Sequence, residues 1–162
     1  AVFEGTSVVG TSVAPAKPAK LLNDFFAFPG PDTITLRNGA FVAAGDFNGD
    51  GFADLAFGGG PGGGPRVFVL SGDLIRQGLI DQAQNAPIAN FFAFDSSQRG
   101  GVHLSAKEGD ADGDRELVVG SGEGQAPSVH VFPGTTLRGG APPSVASTPF
   151  TDPTLAAGVF VG

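Results

Sequence analysis

The sequence predicts an all-β protein built from repeated four-stranded antiparallel units, and three observations carry that expectation. Short runs rich in Phe, Val and Leu recur between Gly, Pro, Asn and Asp, the punctuation of strands joined by turns. The second half of the chain echoes the first. Finally, 27 Gly and 13 Pro among 162 residues stand beside a hydrophobic fraction of 41% and periodic Phe and Val, a balance that favours many short strands over disorder.

The expected strands are Phe25 to Phe28, Ala40 to Ala44, Leu55 to Phe57 and Arg66 to Leu70, then Phe91 to Phe94, Val102 to Ala106, Leu117 to Val119 and Val129 to Phe132. That is four per repeat, with an acidic loop joining the second to the third and the Gly58 to Pro65 run joining the third to the fourth. Asn90-Phe91-Phe92-Ala93-Phe94 echoes Asp24-Phe25-Phe26-Ala27-Phe28, and Pro127 to Gly134 echoes Pro65 to Gly72. The period is about 64 residues, a spacing that signals propellers, solenoids or arrays. Val67 to Leu70 alternates only weakly, as a strand packed on both faces does.

Partial copies flank these units. Val2 to Gly5 resembles the close of the Val67 to Gly72 run, and Gly158 to Val161 resembles Gly101 to Leu104, the strand that leads into an acidic loop. The expected organisation is a partial blade at 1–28, a full repeat at 29–94, a second at 95–150 and the start of another at 151–162. The chain has no methionine, so it is expected to be processed or a piece of something longer. Asp73 to Gln82 is expected to be a decorated loop, because Gly78 weakens a helical reading. Thr6 to Lys20 is expected to be an extended, solvated connector.

The chemistry concentrates in Gly45 to Leu55. Asp46, Asn48, Asp50 and Asp54, with the backbone carbonyl of Phe52, offer hard oxygens at the spacing from which one short loop encircles Ca2+, and Gly49 and Gly51 let the chain curl. Asn-Gly and Asp-Gly also make plain hairpin turns, but four side-chain ligands in register favour metal. An EF-hand is disfavoured, since its twelfth position would need Glu and here is Phe57. Asp110, Asp112, Asp114 and Glu116 align with this loop if two residues are deleted after the third ligand. The shortened loop, with Arg115 beside its last carboxylate, is expected to be the weaker site.

Composition excludes several functions. The formal charge of −7 arises largely from these loops and disfavours nucleic acid, whose phosphates reward basic patches. No cysteine is present, so disulfides, thiol nucleophiles and zinc–thiolate sites are excluded. No apolar run has the length of a membrane helix, and membrane insertion is not expected. The Gly58 to Pro65 run lacks the Gly-Lys-Ser/Thr of a phosphate loop. His103 and His130, on expected strands without a third ligand at metal spacing, read as strand-face residues, and Phe25-Phe26 and Phe91-Phe92 as packing anchors.

Together these residues resemble the FG-GAP repeats of integrin-like β-propellers. Asp46 to Leu55 matches that family's Asp-x-Asp/Asn-x-Asp-Gly-x-x-Asp-Leu loop, Phe57-Gly58 its Phe-Gly, and Gly63-Gly64-Pro65 stands where Gly-Ala-Pro belongs. In the second repeat Gly120-Ser121 and Gln125-Ala126-Pro127 replace those motifs. The resemblance implies blades of a propeller left incomplete within this chain, Ca2+ as cofactor, an extracellular or cell-surface location and no enzymatic activity. It leads to a calcium-stabilised module for adhesion or surface structure, completed by other copies of itself or by the remainder of a longer chain. An extracellular protein ligand is a further expected partner. The competing readings are a protein- or carbohydrate-binding module, against whose sugar form the lack of Trp and Tyr counts, and a propeller hydrolase, for which no nucleophile–base set is found.

Overall fold

The structure, a computed structural model, describes residues 2–3, 20–31, 36, 38–109, 113–138, 146–149 and 156–162. Strands β3 (Ala40–Gly45), β4 (Asp54–Gly59), β5 (Arg66–Leu70) and β6 (Ala89–Phe92) form one antiparallel sheet in sequence order. A second sheet repeats the plan with β7 (Val102–Lys107), β8 (Glu116–Ser121), β9 (Ser128–Phe132) and β10 (Ala146–Pro149). Ahead of both, β1 (Val2–Phe3) pairs antiparallel with β2 (Lys20–Leu22). The expected connector at residues 6–20 lies, but for Lys20, outside the described residues.

The first sheet is covered on both faces, and the two-residue period of β5 shows how. Val67 and Val69, fully buried, face a core shared with Val102, Leu104, Leu117 and Val119 of the second sheet. Phe68 and Leu70 face the opposite core with Leu22, Phe28 and Phe57. Each fully buried apolar side chain of this size contributes about 1.5–3 kcal/mol. The weak alternation of β5 in sequence therefore has its cause in two apolar neighbours.

The sheets stack closely because glycines sit at the contact. A Cβ on Gly58 in β4 would meet Val102 Cγ2 at 2.8 Å and Leu104 Cγ at 3.0 Å, both on β7. The same contact recurs one step on, where a Cβ on Gly120 in β8 would meet the carbonyl oxygen of Val159 at 2.2 Å and Val161 Cγ1 at 3.1 Å. Val159 also donates its N–H to the Ser121 carbonyl at 2.8 Å. Residues 158–161 thus lie on the second sheet as β7 lies on the first. Phe41, His103 and Phe160, equivalent positions on successive units, form a column with ring centroids 4.3 and 3.9 Å apart.

Three expectations need correction. The Phe-rich runs close a sheet and do not open one: β6 pairs with β5, and the acidic loop joins the first strand of the sheet to the second. Residues 25–28 are not a strand at all. They follow β2 and act through their rings, Phe25 edge-on to Phe57 at 6.1 Å and Phe28 on Phe68 at 6.2 Å. Likewise Phe91 packs on Phe132 at 4.8 Å and Phe94 on His130 at 4.4 Å. Phe26 and Phe92 stay largely exposed. The third correction concerns Asp73 to Gln82, which runs from one short helix, α1 (Gly72–Arg76), into another, α2 (Ile80–Asn85). Ser71 caps α1, Asp73 and Arg76 suit its two ends, and Ile75 and Ala83 bury against the core. Gly78, at φ 78°, marks the break between the helices and not their absence.

Candidate metal centre

The first acidic loop runs from Asp46 to Ala53 between β3 and β4, whose pairing closes at Gly45 opposite Asp54. Phe47 is fully buried and pins the loop to the core. Asp46 organises the turn: Oδ1 accepts the N–H of Asp50 at 3.1 Å and Oδ2 that of Gly51 at 2.8 Å. Asn48 Oδ1 accepts the Asp50 N–H at 3.0 Å while its Nδ2 donates to Asp50 Oδ2 at 3.0 Å, so these two side chains face each other. The remaining oxygen of Asp50 accepts the Phe52 N–H at 2.8 Å. Gly49 and Gly51, at φ 68° and 85°, hold the left-handed conformations this curl requires. The Phe52 ring lies under the Arg76 guanidinium, 4.7 Å away.

Asp54 is the inner carboxylate of the loop. It is fully buried, with Oδ2 accepting from Phe47 N–H and Oδ1 from Gly72 N–H, both at 2.9 Å. Loss of solvent pushes its pKa up to about 6, against those two hydrogen bonds and with the negative charges of Asp50 and Asp46 adding to the rise. The three carboxylates are therefore close enough to repel. Among the described residues, however, no three His, Cys, Asp or Glu side chains are gathered as a metal cluster. The donor set still suits a hard cation, because every donor is oxygen and a carboxylate that accepts one hydrogen bond on each oxygen keeps lone pairs for a metal.

Strand pairing places the second loop in a register that differs from the expected one. Lys107 pairs with Glu116 as Gly45 pairs with Asp54, so residues 108–115 form a loop of the same length as 46–53. No deletion is needed. The first three strands of each sheet, and α1 with α3 (Gly134–Leu137), start 62 residues apart. In this register Glu108 stands at the position of Asp46, Asp110 at Asn48, Asp112 at Asp50, Gly113 at Gly51, Asp114 at Phe52 and Glu116 at Asp54. Asp110 and Asp112 lie outside the described residues. Glu108, missed by sequence reasoning, pairs with Arg115 at 3.2 Å. Counting backward from the shared carboxylate–Leu pair would have found it.

Asp114 and Glu116 sit differently from their expected common role. Asp114 is buried and ion-paired with Arg138, the residue equivalent to Arg76, and the pair rests against Gly49 of the first loop. Where one unit stacks a guanidinium on Phe52, the next pairs it with a carboxylate. Glu116 is buried, and its Oε2 has no hydrogen-bond partner among the described residues. Its extra methylene is accommodated because Gly109 replaces Phe47: a Cβ there would come within 2.7 Å of Oε2. Arg115 ties the loops together, donating its N–H to the Asp46 carbonyl at 2.7 Å.

Residues 38–70 match the family model of the FG-GAP repeat. This segment is an FG-GAP repeat. It spans β3 to β5 with the first acidic loop at its centre, and the resemblance read from Asp46 to Leu55 and Phe57-Gly58 falls inside it. No curated protein and no solved structure matches the chain. FG-GAP repeats build propeller blades, and the two antiparallel sheets are blades of that kind, too few to close a ring, which takes about four to eight. The repeat family is generally non-enzymatic. His103 and His130 serve the stack here: both are packed among rings, and desolvation lowers the pKa of each. Among the described residues no helix is long and apolar enough to cross a membrane.

Proposed function

We propose that the protein is a calcium-stabilised, non-enzymatic FG-GAP blade module that acts outside the cell in adhesion or surface structure. The observation that carries the reading is the fold of the first loop around Asp46, whose carboxylate gathers the N–H groups of Asp50 and Gly51 while the Asn48 and Asp50 side chains face each other. Asp46, Asn48, Asp50 and Asp54, with the Phe52 carbonyl, would hold the Ca2+, whose charge would offset the repulsion of the carboxylates. Extracellular calcium levels suit a loop of this kind.

The blade stack is completed by a further blade, supplied by another copy or by more of the same polypeptide. The partly exposed Val118, Val129 and Val131, and the start of a third unit at Val159 to Val161, support this reading.

Chelation tests the calcium reading. Removing Ca2+ at a hundredfold excess over Kd costs about 2.7 kcal/mol of stability, so the melting temperature falls on adding chelator, and Asp50→Ala removes the difference. A melting temperature indifferent to chelator overturns it. Light scattering at micromolar concentration tests self-association, which a stable, concentration-independent monomer refutes.

A further inference from the structure

The first acidic loop is built from both blades. Its own blade holds it from one side, through the bonds of Asp54 to Phe47 and Gly72 and the stack of Arg76 on Phe52. The second blade holds it from the other side at successive points. The Arg115 stem lies against Gly45, where a Cβ would come within 3.0 Å of Arg115 Cγ, and the Arg115 N–H donates to the Asp46 carbonyl at 2.7 Å. Gly134, which opens α3, passes close to Phe47: a Cβ on it would lie 2.9 Å from the Phe47 carbonyl oxygen. The buried Phe47 ring shares its core with Leu137 of the same helix. At the tip of the loop, the ion pair of Asp114 and Arg138 lies on Gly49.

The contact at Gly49 bears on the donor oxygens directly. Gly49, at φ 68°, turns the chain between Asn48 and Asp50, and its left-handed conformation decides where those two side chains stand. No side chain fits on it: a Cβ would run into Asp114 Oδ1 and lie 2.9 Å from Arg138 Nη2. Asp114 is only 2% exposed, so burial of its carboxylate fixes the pair in place against the turn.

We propose that Asp114 and Arg138 are positioning residues for calcium in the first loop, so that a cation held there also joins the two blades. The inference rests on the calcium reading given above. Neither residue is a ligand in this role: the pair holds Gly49 and through it Asn48 and Asp50, while the Arg115 N–H fixes the backbone at Asp46. Partners one step removed from a metal typically set its affinity by about ten- to a hundredfold. The coupling is reciprocal, and calcium in the first loop tightens the docking of the second blade by the same factor by which that blade raises calcium affinity. Electrostatics alone gives a different pattern. The Arg138 cation disfavours Ca2+ and the Asp114 anion favours it, so removing the first charge would strengthen binding and removing the second would weaken it, whereas loss of the brace weakens binding in both cases.

The test is a calcium titration of the full chain, run well below the melting temperature of each variant and followed at the amide signals of Gly49 and Gly51 for the first loop and of Gly113 for the second. Asp114→Asn and Arg138→Gln each weaken calcium at Gly49 and Gly51 about tenfold or more, and the double variant loses little beyond either single, because the pair acts as a unit. Arg138→Lys, which keeps the charge and loses the planar group, falls between the wild type and Arg138→Gln, and it carries the test if Arg138→Gln does not fold. Hydrogen exchange of the Arg115 amide, on the second blade, slows in calcium with the midpoint read at Gly49 and Gly51. Opposite signs in Asp114→Asn and Arg138→Gln, variants that bind as tightly as the wild type, or an Arg115 amide indifferent to calcium each overturns the inference and leaves the calcium reading standing. A wild type whose Gly49 and Gly51 amides do not respond to millimolar calcium overturns both.

Discussion

Gly58→Ala separates two opposed effects at the contact between the blades. Judged by backbone entropy alone, replacing a strand glycine by alanine stabilises by about 0.5–1 kcal/mol. The structure reverses the sign. The new methyl would stand 2.8 Å from Val102 Cγ2, 2.9 Å from the Val102 carbonyl oxygen and 3.0 Å from Leu104 Cγ, and the first two distances are below what real Cβ atoms adopt. One of these neighbours is backbone of the facing strand and cannot swing aside, so the second sheet must move out by a few tenths of an ångström. Overpacking of that kind costs about 1–3 kcal/mol, which exceeds the entropic gain. The net loss is up to about 2.5 kcal/mol, read as a melting temperature lower by up to about 10 °C for a chain of this size. Val102→Ala removes the nearest atom, so the double variant should lose less than the sum of the singles by at least about 0.5 kcal/mol. A Gly58→Ala variant that melts above the wild type, or a strictly additive double variant, refutes face-to-face stacking of the two blades through β4 and β7.

Acid sensitivity follows from the partly desolvated imidazoles. His103 and His130 have folded pKa values below the ordinary 6.5, so the neutral rings contribute stability that is present above that value and lost as pH falls below it. Equivalent positions in the first blade are Phe41 and Phe68, and His103→Phe with His130→Phe should keep the fold while flattening the decline in denaturant midpoint below pH 6.5; an unchanged acid slope contradicts the assignment. In the second loop, Glu116→Gln should abolish calcium uptake by that loop, whereas Asp114→Asn should reduce stability with little effect on its calcium affinity, and calorimetry giving the reverse order would restore the deletion alignment.

Much of the fold was legible because its signals are local. Arg66 to Leu70 has the bounds the sequence predicts, and most other strands differ from expectation by one or two residues at an end. The turn at Asp46 to Phe52 is legible because its side chains bond to backbone within five positions, whereas the Asp54 carboxylate reaches Phe47 and Gly72. What failed was set by distant partners. The Phe-rich runs have strong strand propensity, yet only Phe91 and Phe92 lie in a strand, and Phe25 to Phe28 contribute ring contacts that no local pattern distinguishes from pairing. In the sequence Gly78 counts against a helix after β5, yet its positive φ forms the joint between α1 and α2.

The register of the second loop shows how a motif can mislead when its letters are matched before its frame. Aligning Asp110 with Asp46 is attractive, since it preserves three aspartates in alternate positions, but it forces a gap into a loop whose ends are fixed by strand pairing. The frame has no gap: Ala44 pairs with Leu55 and Ala106 with Leu117, so equal numbers of residues must span equal distances. Substitutions in that frame are then paired by volume. Glu116 is longer than Asp54, and the bulky Phe47 becomes Gly109, which leaves room for the longer carboxylate. Phe52 becomes Asp114, and the arginine facing it, conserved in place as Arg138, exchanges a stacked ring for an opposite charge. Each exchange keeps the contact and changes its chemistry. The second loop is therefore a blade connection of the full length whose residues have been refitted, with Asp114 committed to the contact at Gly49 and the outer oxygens beginning at Glu108.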